Sequence, residues 1–518
     1  MIGSEFAGAP RTAQRPARRT CRRARAGWVA PAAAVLALAA CSGTGTATSS
    51  ATGAPTSAPA VTASAGGTTT AVASTGGKGR SASPSAAGGA GGGAGSGSSW
   101  PEYDANPART GVAAGLPAAG PLSTAWTAHL DGAVYGQPLL VGNEVIAATE
   151  NDSIYALNRA TGTVTWHAKV GTPVPRSALQ CGNIDPLGIT GTPVYDAANG
   201  LVYAVAEVTG FQHLLVALDA ATGAVKLSRA LDSPTSANQP ANNQQRPGLT
   251  IDNGRVYAAF GGLYGDCGAY QGSVVSAPLT GNGPLARWVT PTSREGAIWG
   301  PGGPVTGPDG NLWVSIGNGA ADSGAYDGSD SVTELTPALQ RVAYFAPASW
   351  ADDNANDLDL GSTQPVLAAG DAVFVMGKRG TGYLLSSTNP GGIGGQLAER
   401  SICDAEGAAA VSGATVYEPC QDGGMAAIGV SAADKTIKVL WRGPGDAEGS
   451  PVIGGGAVWV TAYSDSSGGT LYELNPATGA VEHQIAIGDG LPHFSSMSLG
   501  GGTAYLGTND GVTAVNGV

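Results

Sequence analysis

One short phrase occurs three times along the 518-residue chain and constrains its fold more than any other feature. Alternating apolar residues lead to Asn or Asp, a Thr-Gly pair follows, and a second alternating run returns. The copies are IYALNRATGTVTW at 154–166, LVALDAATGAVKL at 215–227 and LYELNPATGAVEH at 471–483. Asn or Asp with Thr-Gly supplies a tight turn between two strands. A strand–turn–strand unit that repeats at this scale is typical of a β-propeller.

The repeat units can be counted from their opening strands, each led by Pro or Gly and followed by a Gly turn. The openings begin near residues 137, 192, 246, 300, 363, 407, 449 and 496. The last unit ends at Val518 without an outer strand, and 122–130 have the pattern of that strand. Pairing the two would close the ring. We therefore predict an all-β, eight-bladed β-propeller over 100–518 whose last blade is closed by an N-terminal strand. A seven-bladed ring is the alternative, because the units near 407 and 449 are compressed.

The charge of the chain is unevenly distributed. The formal net charge is −12, yet residues 1–40 hold seven Arg and one Glu, a charge of +6. The remaining 19 basic and 37 acidic residues therefore carry −18. An acidic body disfavours nucleic acid and anionic lipid as the main partner.

Residues 1–41 have the order of an export signal. A region rich in Arg precedes an apolar run from Trp28 to Ala40, which is too short for a membrane-spanning helix. The run ends in Leu-Ala-Ala-Cys-Ser, which resembles the bacterial lipobox, so we expect Cys41 to carry the lipid that anchors the protein to the outer face of the cell membrane. An ordinary signal peptide with a chance Cys is the alternative, and the Arg pairs also permit a twin-arginine route.

Residues 42–99 are nearly all Ala, Gly, Ser, Thr and Pro. Such a segment has too few apolar side chains to offset the entropy of ordering it. We predict a disordered tether that typically reaches about 40 Å from the membrane.

Four cysteines lie beyond Cys41, namely Cys181, Cys267, Cys403 and Cys420. An even number in an exported domain predicts two disulfides. The favoured pairs are Cys181–Cys267 and Cys403–Cys420, the second between consecutive blades. A metal site is disfavoured, because the sequence contains no Cys-x-x-Cys.

The repeated phrase resembles the repeat of pyrroloquinoline-quinone (PQQ) propellers, and one stretch resembles the eight-bladed quinoprotein alcohol dehydrogenases. That stretch contains IWGP at 298–301 and GNG at 317–319. The resemblance implies that Trp299 stacks on the quinone and that Asn318 binds Ca²⁺. Both residue types suit these roles, since a flat quinone fits an indole face and Ca²⁺ accepts amide oxygens. The structural alternative is that Trp299 fills a blade interface and Asn318 makes a turn.

A second stretch, GKRGTGYLL at 377–385, resembles the Lys-Asn-Gly phrase of the same dehydrogenases. The resemblance implies that Lys378 contacts the cofactor. An exposed hairpin lysine is the alternative.

A third stretch, NDLDLGSTQP at 356–365, resembles a family segment with two aspartates three residues apart, of which the first is the catalytic base. By alignment, Asp359 matches the second aspartate, and the catalytic place falls on Asn356, which cannot act as a base. Asp357 and Asp359 are therefore the candidate catalytic residues. The acidic run 352–357 could bind Ca²⁺ by itself, although it is not an EF-hand loop, and the alternative is a solvated loop.

Glu207 resembles the glutamate of this family that binds Ca²⁺, although it lies one residue off the usual spacing. The chain also lacks the vicinal Cys-Cys pair that caps the quinone in most of the family. These departures weaken the analogy with a working dehydrogenase.

Two functions are compatible with the sequence. The favoured hypothesis is a lipid-anchored, non-catalytic propeller that binds a protein, glycan or small ligand, similar to the propeller lipoprotein that scaffolds outer-membrane protein assembly. The alternative is a PQQ- and Ca²⁺-dependent dehydrogenase of alcohols or sugars.

Overall fold

The computed structural model describes residues 99–464 and 468–518. The predictions for the export signal with Cys41 and for the tether over 42–98 lie outside these residues. Within them, the strands form eight sheets, each with at least four hydrogen-bonded strands. The predicted eight-bladed propeller is confirmed, and the seven-bladed alternative is wrong.

The strands are numbered in chain order and are grouped here by position along the chain. The first nineteen are β1 (Val112–Ala113), β2 (Ser123–His129), β3 (Leu139–Val141), β4 (Glu144–Thr149), β5 (Ser153–Asn158), β6 (Val164–Lys169), β7 (Val194–Asp196), β8 (Leu201–Val208), β9 (Gln212–Asp219), β10 (Val225–Ala230), β11 (Asn243–Gln244), β12 (Thr250–Asp252), β13 (Arg255–Gly262), β14 (Ser273–Pro278), β15 (Ala286–Val289), β16 (Val305–Thr306), β17 (Leu312–Ile316), β18 (Ser331–Leu335) and β19 (Arg341–Ala346). The others are β20 (Val366–Ala368), β21 (Ala372–Val375), β22 (Thr381–Ser386), β23 (Gly392–Ile393), β24 (Ala398–Ser401), β25 (Ala410–Ser412), β26 (Thr415–Cys420), β27 (Gly424–Ser431), β28 (Thr436–Arg442), β29 (Val452–Gly454), β30 (Ala457–Ala462), β31 (Gly469–Leu474), β32 (Val481–Ile487), β33 (Met497–Gly500), β34 (Thr503–Thr508) and β35 (Gly511–Asn516).

Blades 1 to 8 follow one another along the chain, and they begin, in order, with β3, β7, β12, β16, β20, β25, β29 and β33. In blade 7, β1 adds to the sheet beside β29. Helical structure in the described part comprises α1 (Trp350–Asn356) and 3₁₀ turns at Tyr103–Ala105, Arg176–Ala178, Pro240–Asn242 and Leu360–Ser362. No helix in these residues has the length and apolar character of a membrane span. The acidic run 352–357, predicted to be a loop, lies largely in α1. Arg379 binds both Asp352 and Asp353 there and offsets their charge.

The ring is closed by the N-terminal strand. Strand β2 pairs antiparallel with β35, from Ser123 opposite Asn516 to His129 opposite Gly511. Blade 8 therefore takes three strands from the end of the chain and one from the beginning, as the sequence predicts. This pairing satisfies the backbone groups of β35 that would otherwise form an open edge.

Strands of one blade differ in burial according to their position. All but the last residue of β5 are buried, whereas residues of β6, the outer strand of the same blade, alternate between exposed and partly buried. Side chains of neighbouring blades form the core between them; Ile146 of blade 1 and Val202 of blade 2 belong to one such cluster. The apolar alternation of the sequence is thus strongest where one face of a strand meets solvent.

The Thr-Gly turn joins neighbouring blades at three places in the ring. Trp166 on β6 of blade 1 donates from its indole nitrogen to the carbonyl of Ala220 in blade 2, at 2.9 Å. Its ring lies directly under Gly223, the glycine of the Thr-Gly pair, where a Cβ would come within 2.6 Å of the ring. The same contact joins Trp126 to Gly162 and Trp441 to Gly479. Each copy of the phrase thus supplies a packing surface for the tryptophan on the outer strand of the preceding blade.

The variant Gly223→Ala tests this contact against a matched control in the same blade. Gly200 also has a positive φ, +66° against +70° for Gly223, but open space surrounds its Cβ position. Both substitutions strain the backbone, and only the one at position 223 would also overpack the tryptophan. We expect Gly223→Ala to lower the free energy of unfolding by about 1–3 kcal/mol more than Gly200→Ala does in urea unfolding. Equal losses would contradict the packing role.

Both predicted disulfides are present, with the predicted pairing. Cys181–Cys267 ties the connection after blade 1 to the β13–β14 loop of blade 3, across 86 residues. Cys403–Cys420 ties the end of blade 5 to β26 of blade 6, across 17 residues. Cross-links between blades restrict the unfolded chain, and the longer loop restricts it more.

Candidate functional site at the upper face

Blade topology brings the predicted site residues to one face. In a blade of four antiparallel strands, the loop after the second strand and the connection to the next blade lie at the same end. We call this end the upper face. Asn318 follows the second strand of blade 4, and Lys378 follows that of blade 5. Trp299, Asp357 and Asp359 lie in the connections that enter blades 4 and 5.

Lys378 is the centre of this group. Its Nζ lies 2.5 Å from Asp359 Oδ2 and 3.5 Å from Asp357 Oδ1. The same nitrogen lies 5.4 Å from the ring centroid of Trp299, within range of a cation–π contact. The side chain of Asp359 is 4% exposed and that of Asp357 is 66% exposed, so the first partner is buried and the second is at the rim.

Asp359 is engaged through both carboxylate oxygens. While Oδ2 binds Lys378, Oδ1 accepts the backbone N–H of Asn318 at 2.7 Å. A side chain on Gly317 would clash with this oxygen, which explains the glycine of the Gly-Asn phrase. We call Trp299, Asn318, Asp357, Asp359 and Lys378 the mouth cluster; contacts link all five residues.

The electrostatics of the mouth cluster keep the lysine charged. Burial alone would lower the pKa of Lys378, but the charges of Asp359 and Asp357 outweigh burial and raise that pKa well above its usual range. Partial desolvation by the surrounding loops raises the pKa of the Asp357 carboxyl although its side chain is at the rim, and Lys378 offsets part of this effect. The lysine therefore acts as a permanent counter-ion to both aspartates.

Four further residues beside the mouth cluster were not predicted from the sequence. His493 stacks on Phe494 with ring centroids 3.9 Å apart, and the guanidinium of Arg246 lies 4.7 Å from the Phe494 ring and 6.0 Å from that of Tyr135. Phe494 also contacts Trp299, with centroids 5.9 Å apart. The face of Trp299 is thus already in contact with Lys378 and Phe494.

This aromatic cluster lines a pocket. Tyr135, Arg246, His493 and Phe494 border a small space of about 10 Å³, enough for one water-sized molecule, that is partly open to solvent. Burial, with the nearby charge of Arg246, lowers the pKa of His493 to about 4, so this imidazole is neutral at pH 7. The arginine is left as the positive group of the pocket. Phe494 has φ +64°, a conformation that its residue type does not predict.

Glu207 belongs to a different ion-pair network. It lies near the end of β8, is 2% exposed, and its Oε2 is 3.3 Å from His213 Nε2. His213 Nδ1 in turn lies 2.8 Å from Asp232 Oδ1. Burial alone would lower the pKa of His213, but Glu207 and Asp232 outweigh burial and raise it to about 10. The imidazolium is therefore enclosed between two carboxylates.

The carboxylates as arranged do not fit the Ca²⁺ ion that the sequence resemblance implies. The Glu207 carboxylate faces a buried imidazolium, and the Asp359 carboxylate faces the partly buried ammonium of Lys378. A Ca²⁺ ion at either place would lie beside an existing cation. In the described part of the chain, a group of side chains close enough together to bind a metal ion lies away from the mouth cluster. It consists of His129, Asp489 and Asp510.

Comparison with known proteins agrees with this architecture. The family model described as outer membrane protein assembly factor BamB matches residues 123–315. Among curated proteins, no sequence matches the chain significantly.

Similar solved structures include both enzymes and an assembly factor. The quinohemoprotein alcohol dehydrogenase ADHIIG from Pseudomonas putida HK5 has a TM-score of 0.64 at 13% identity, covering 81% of this chain and 80% of that one. A europium-containing methanol dehydrogenase has a TM-score of 0.60 at 14% identity, over 81% and 98%. BamB from Moraxella catarrhalis has a TM-score of 0.54 at 15% identity, over 77% and 100%. The propeller fold that the repeat resembles is thereby confirmed, while identities this low establish no activity.

Proposed function

We propose that this protein is a non-catalytic binding module that presents the upper face of its propeller to a protein or small ligand. The observation that carries the proposal is the closed pairing of Asp359, whose two oxygens bind Lys378 and the Asn318 amide. A general base must be within reach of the substrate proton that it takes up. Both Asp359 oxygens already have a partner and the side chain is only 4% exposed, so a substrate hydroxyl has little access to the lone pairs that remain.

Asp357 is exposed but is a poor substitute. Its carboxylate lies 3.5 Å from the charged Lys378, which offsets part of the rise in its pKa, and a proton taken up there would weaken this ion pair. The Trp299 ring already contacts Lys378 and Phe494, which leaves less of its surface for a stacked quinone.

Two further considerations support binding. The structural likeness to BamB extends over the whole of that chain, and the family model over 123–315 carries the description of an assembly factor. A lipid anchor at Cys41 and a tether over 42–99 would hold the upper face at the cell surface, within reach of partners. The proposed location is accordingly extracytoplasmic, on the outer face of the cell membrane.

The second candidate function is a PQQ- and Ca²⁺-dependent dehydrogenase of alcohols or sugars. One observation favours it. Five residues that the family resemblance singles out come together in the mouth cluster: Trp299, Asn318, Asp357, Asp359 and Lys378. This function requires the Lys378–Asp359 pair to open and the Glu207–His213 pair to release its carboxylate.

Calorimetric titration of the full-length protein with PQQ and Ca²⁺ separates the two functions. We expect no saturable heat and no alcohol- or sugar-dependent reduction of a dye, because the carboxylates are already neutralised by protein cations. Stoichiometric binding, accompanied by dye reduction that Trp299→Ala abolishes, would establish the dehydrogenase and overturn the binding module.

Site-specific photo-crosslinking in cells tests whether a partner binds to the upper face. A photoreactive residue at Asp357, on the upper face, should give more adducts than one at Asn143. Asn143 is an exposed residue of the β3–β4 turn on the opposite face. Equal adduct yields at the two positions would contradict the assignment of the binding face.

A further inference from the structure

Three segments that close the propeller ring meet at one point of the upper face. His129 ends the closing strand β2, Asp510 lies in the β34–β35 turn, and Asp489 lies in the connection from blade 7 to blade 8. One ligand atom from each residue lies within 4.8 Å of the other two. We propose that these three side chains form a binding site for a divalent transition-metal ion, with Zn²⁺ as its best match.

The backbone holds the three ligands in place before any ion binds. The amide of Leu130 donates to the carbonyl of Asp510 at 2.9 Å, which fixes the end of β2 against the turn. The amide of Asn509 donates to the carbonyl of Gly490 at 2.8 Å, which fixes the connection against the same turn. Ligands carried on segments with fixed relative positions lose little entropy when they bind a metal.

The electrostatics of the cluster call for a cation. His129 Nδ1 lies 2.7 Å from Asp510 Oδ2 and so satisfies one carboxylate. Asp489 Oδ2 is shielded from solvent and has no hydrogen-bond partner. A shielded carboxylate oxygen without a donor, close to a second carboxylate, is costly unless a positive charge is shared between them. A metal ion bound by both carboxylates and the imidazole supplies that charge.

The donor set selects the kind of metal. One imidazole nitrogen with two carboxylate oxygens suits Zn²⁺, which binds such groups with three protein ligands and leaves a fourth position open. Ca²⁺ and Mg²⁺ prefer oxygen ligands alone. The His129 and Asp510 side chains are 64% and 63% exposed, so water can fill the open position.

Metal binding here would fasten the ring closure. The imidazole and the Asp510 carboxylate are separated by 381 positions in the chain, and the ion would join them across the β2–β35 pairing. An ion that binds the closed ring and not the unfolded chain stabilises the closed form by mass action. The bound ion would therefore act as a clip, that is, a cross-link within blade 8, the blade that contains both the N-terminal closing strand and the last strand of the ring.

Titration of untagged full-length protein with ZnCl₂, followed by calorimetry and thermal unfolding, tests this site. We expect one Zn²⁺ per chain and an increase in Tm of roughly 2 °C or more at saturation. His129→Ala and Asp489→Asn should each weaken binding at least about tenfold, since each removes one ligand. The control is His483→Ala, which removes an exposed histidine paired with one carboxylate, Glu473, at 2.6 Å. It should leave Zn²⁺ binding unchanged.

Hydrogen exchange gives a readout specific to the clip. Zn²⁺ should slow amide exchange in 123–129 of the wild-type protein, and this effect should be absent in Asp489→Asn. Circular dichroism first establishes that each variant is folded. The proposal is overturned if wild-type protein binds no Zn²⁺, if both ligand variants bind it as tightly as wild type, or if Ca²⁺ binds the cluster equally well.

Discussion

The variant Lys378→Met is expected to lower the free energy of unfolding by about 3–5 kcal/mol, the usual cost of removing one partner of a buried ion pair. Asp359, 4% exposed, would keep its contact with the Asn318 amide and lose the ammonium that neutralises it. Methionine fills a similar volume, so the loss reports charge rather than a cavity. Equilibrium unfolding in urea at pH 7 measures the change.

Two comparisons make this prediction specific. Lys226→Met removes an exposed lysine, 51% accessible and 3.7 Å from Asp219, and should cost at most about 1 kcal/mol. Lys378→Met combined with Asp359→Asn removes both charges and should recover most of the loss. A single-variant cost below about 1 kcal/mol would show that the pair is not structural and would favour a lysine that is free for a ligand.

The stability of the protein is expected to fall steadily as the pH rises from about 6.5 towards 10. His213 in the folded protein has its pKa raised to about 10 by Glu207 and Asp232, whereas an unfolded histidine titrates near 6.5. Below the unfolded value both states carry the proton, and the stabilisation is fully present. Between the two values only the folded state keeps the proton, so stability falls by up to ~1.4 kcal/mol per pH unit.

The variant His213→Gln isolates this effect, because glutamine cannot titrate in that range. The measurement is the free energy of urea unfolding at several pH values between 6 and 9.5 for both proteins. The difference between wild type and variant should shrink as the pH rises. Parallel curves for the two proteins would refute a charged, structural His213.

The blades could be predicted because their information is local. Alternating apolar residues and turn glycines lie within a few positions of one another. Gly223 is an example, because the turn in which it lies has no space for a side chain at that position. The closing strand over 122–130 was predictable for the same reason, since its apolar pattern matched a unit that lacked one strand. The disulfide pairs followed from an even cysteine number and from the order of the blades.

The site was harder to predict because its neighbours are distant in the chain. Arg246 donates to the carbonyl of His493, 247 positions away, and no short-range pattern links the two. The acidic run 352–357 looked like a solvated loop, but Arg379 neutralises two of its aspartates and a helix forms. Glu207 was grouped with the mouth residues by resemblance, whereas its own ion pairs lead to His213 and Asp232.

The sequence by itself determined the architecture: an all-β ring of eight blades, its closing strand and its cross-links. These depend on strand periodicity, turn chemistry and residue counts, which are properties of short segments. Only the tertiary structure decided which charges meet at the upper face. Lys378 and Asp359 come from different loops, and their charged atoms lie 2.5 Å apart. Whether a carboxylate there is a free base or half of a buried ion pair depends on which cation the neighbouring loop brings to it.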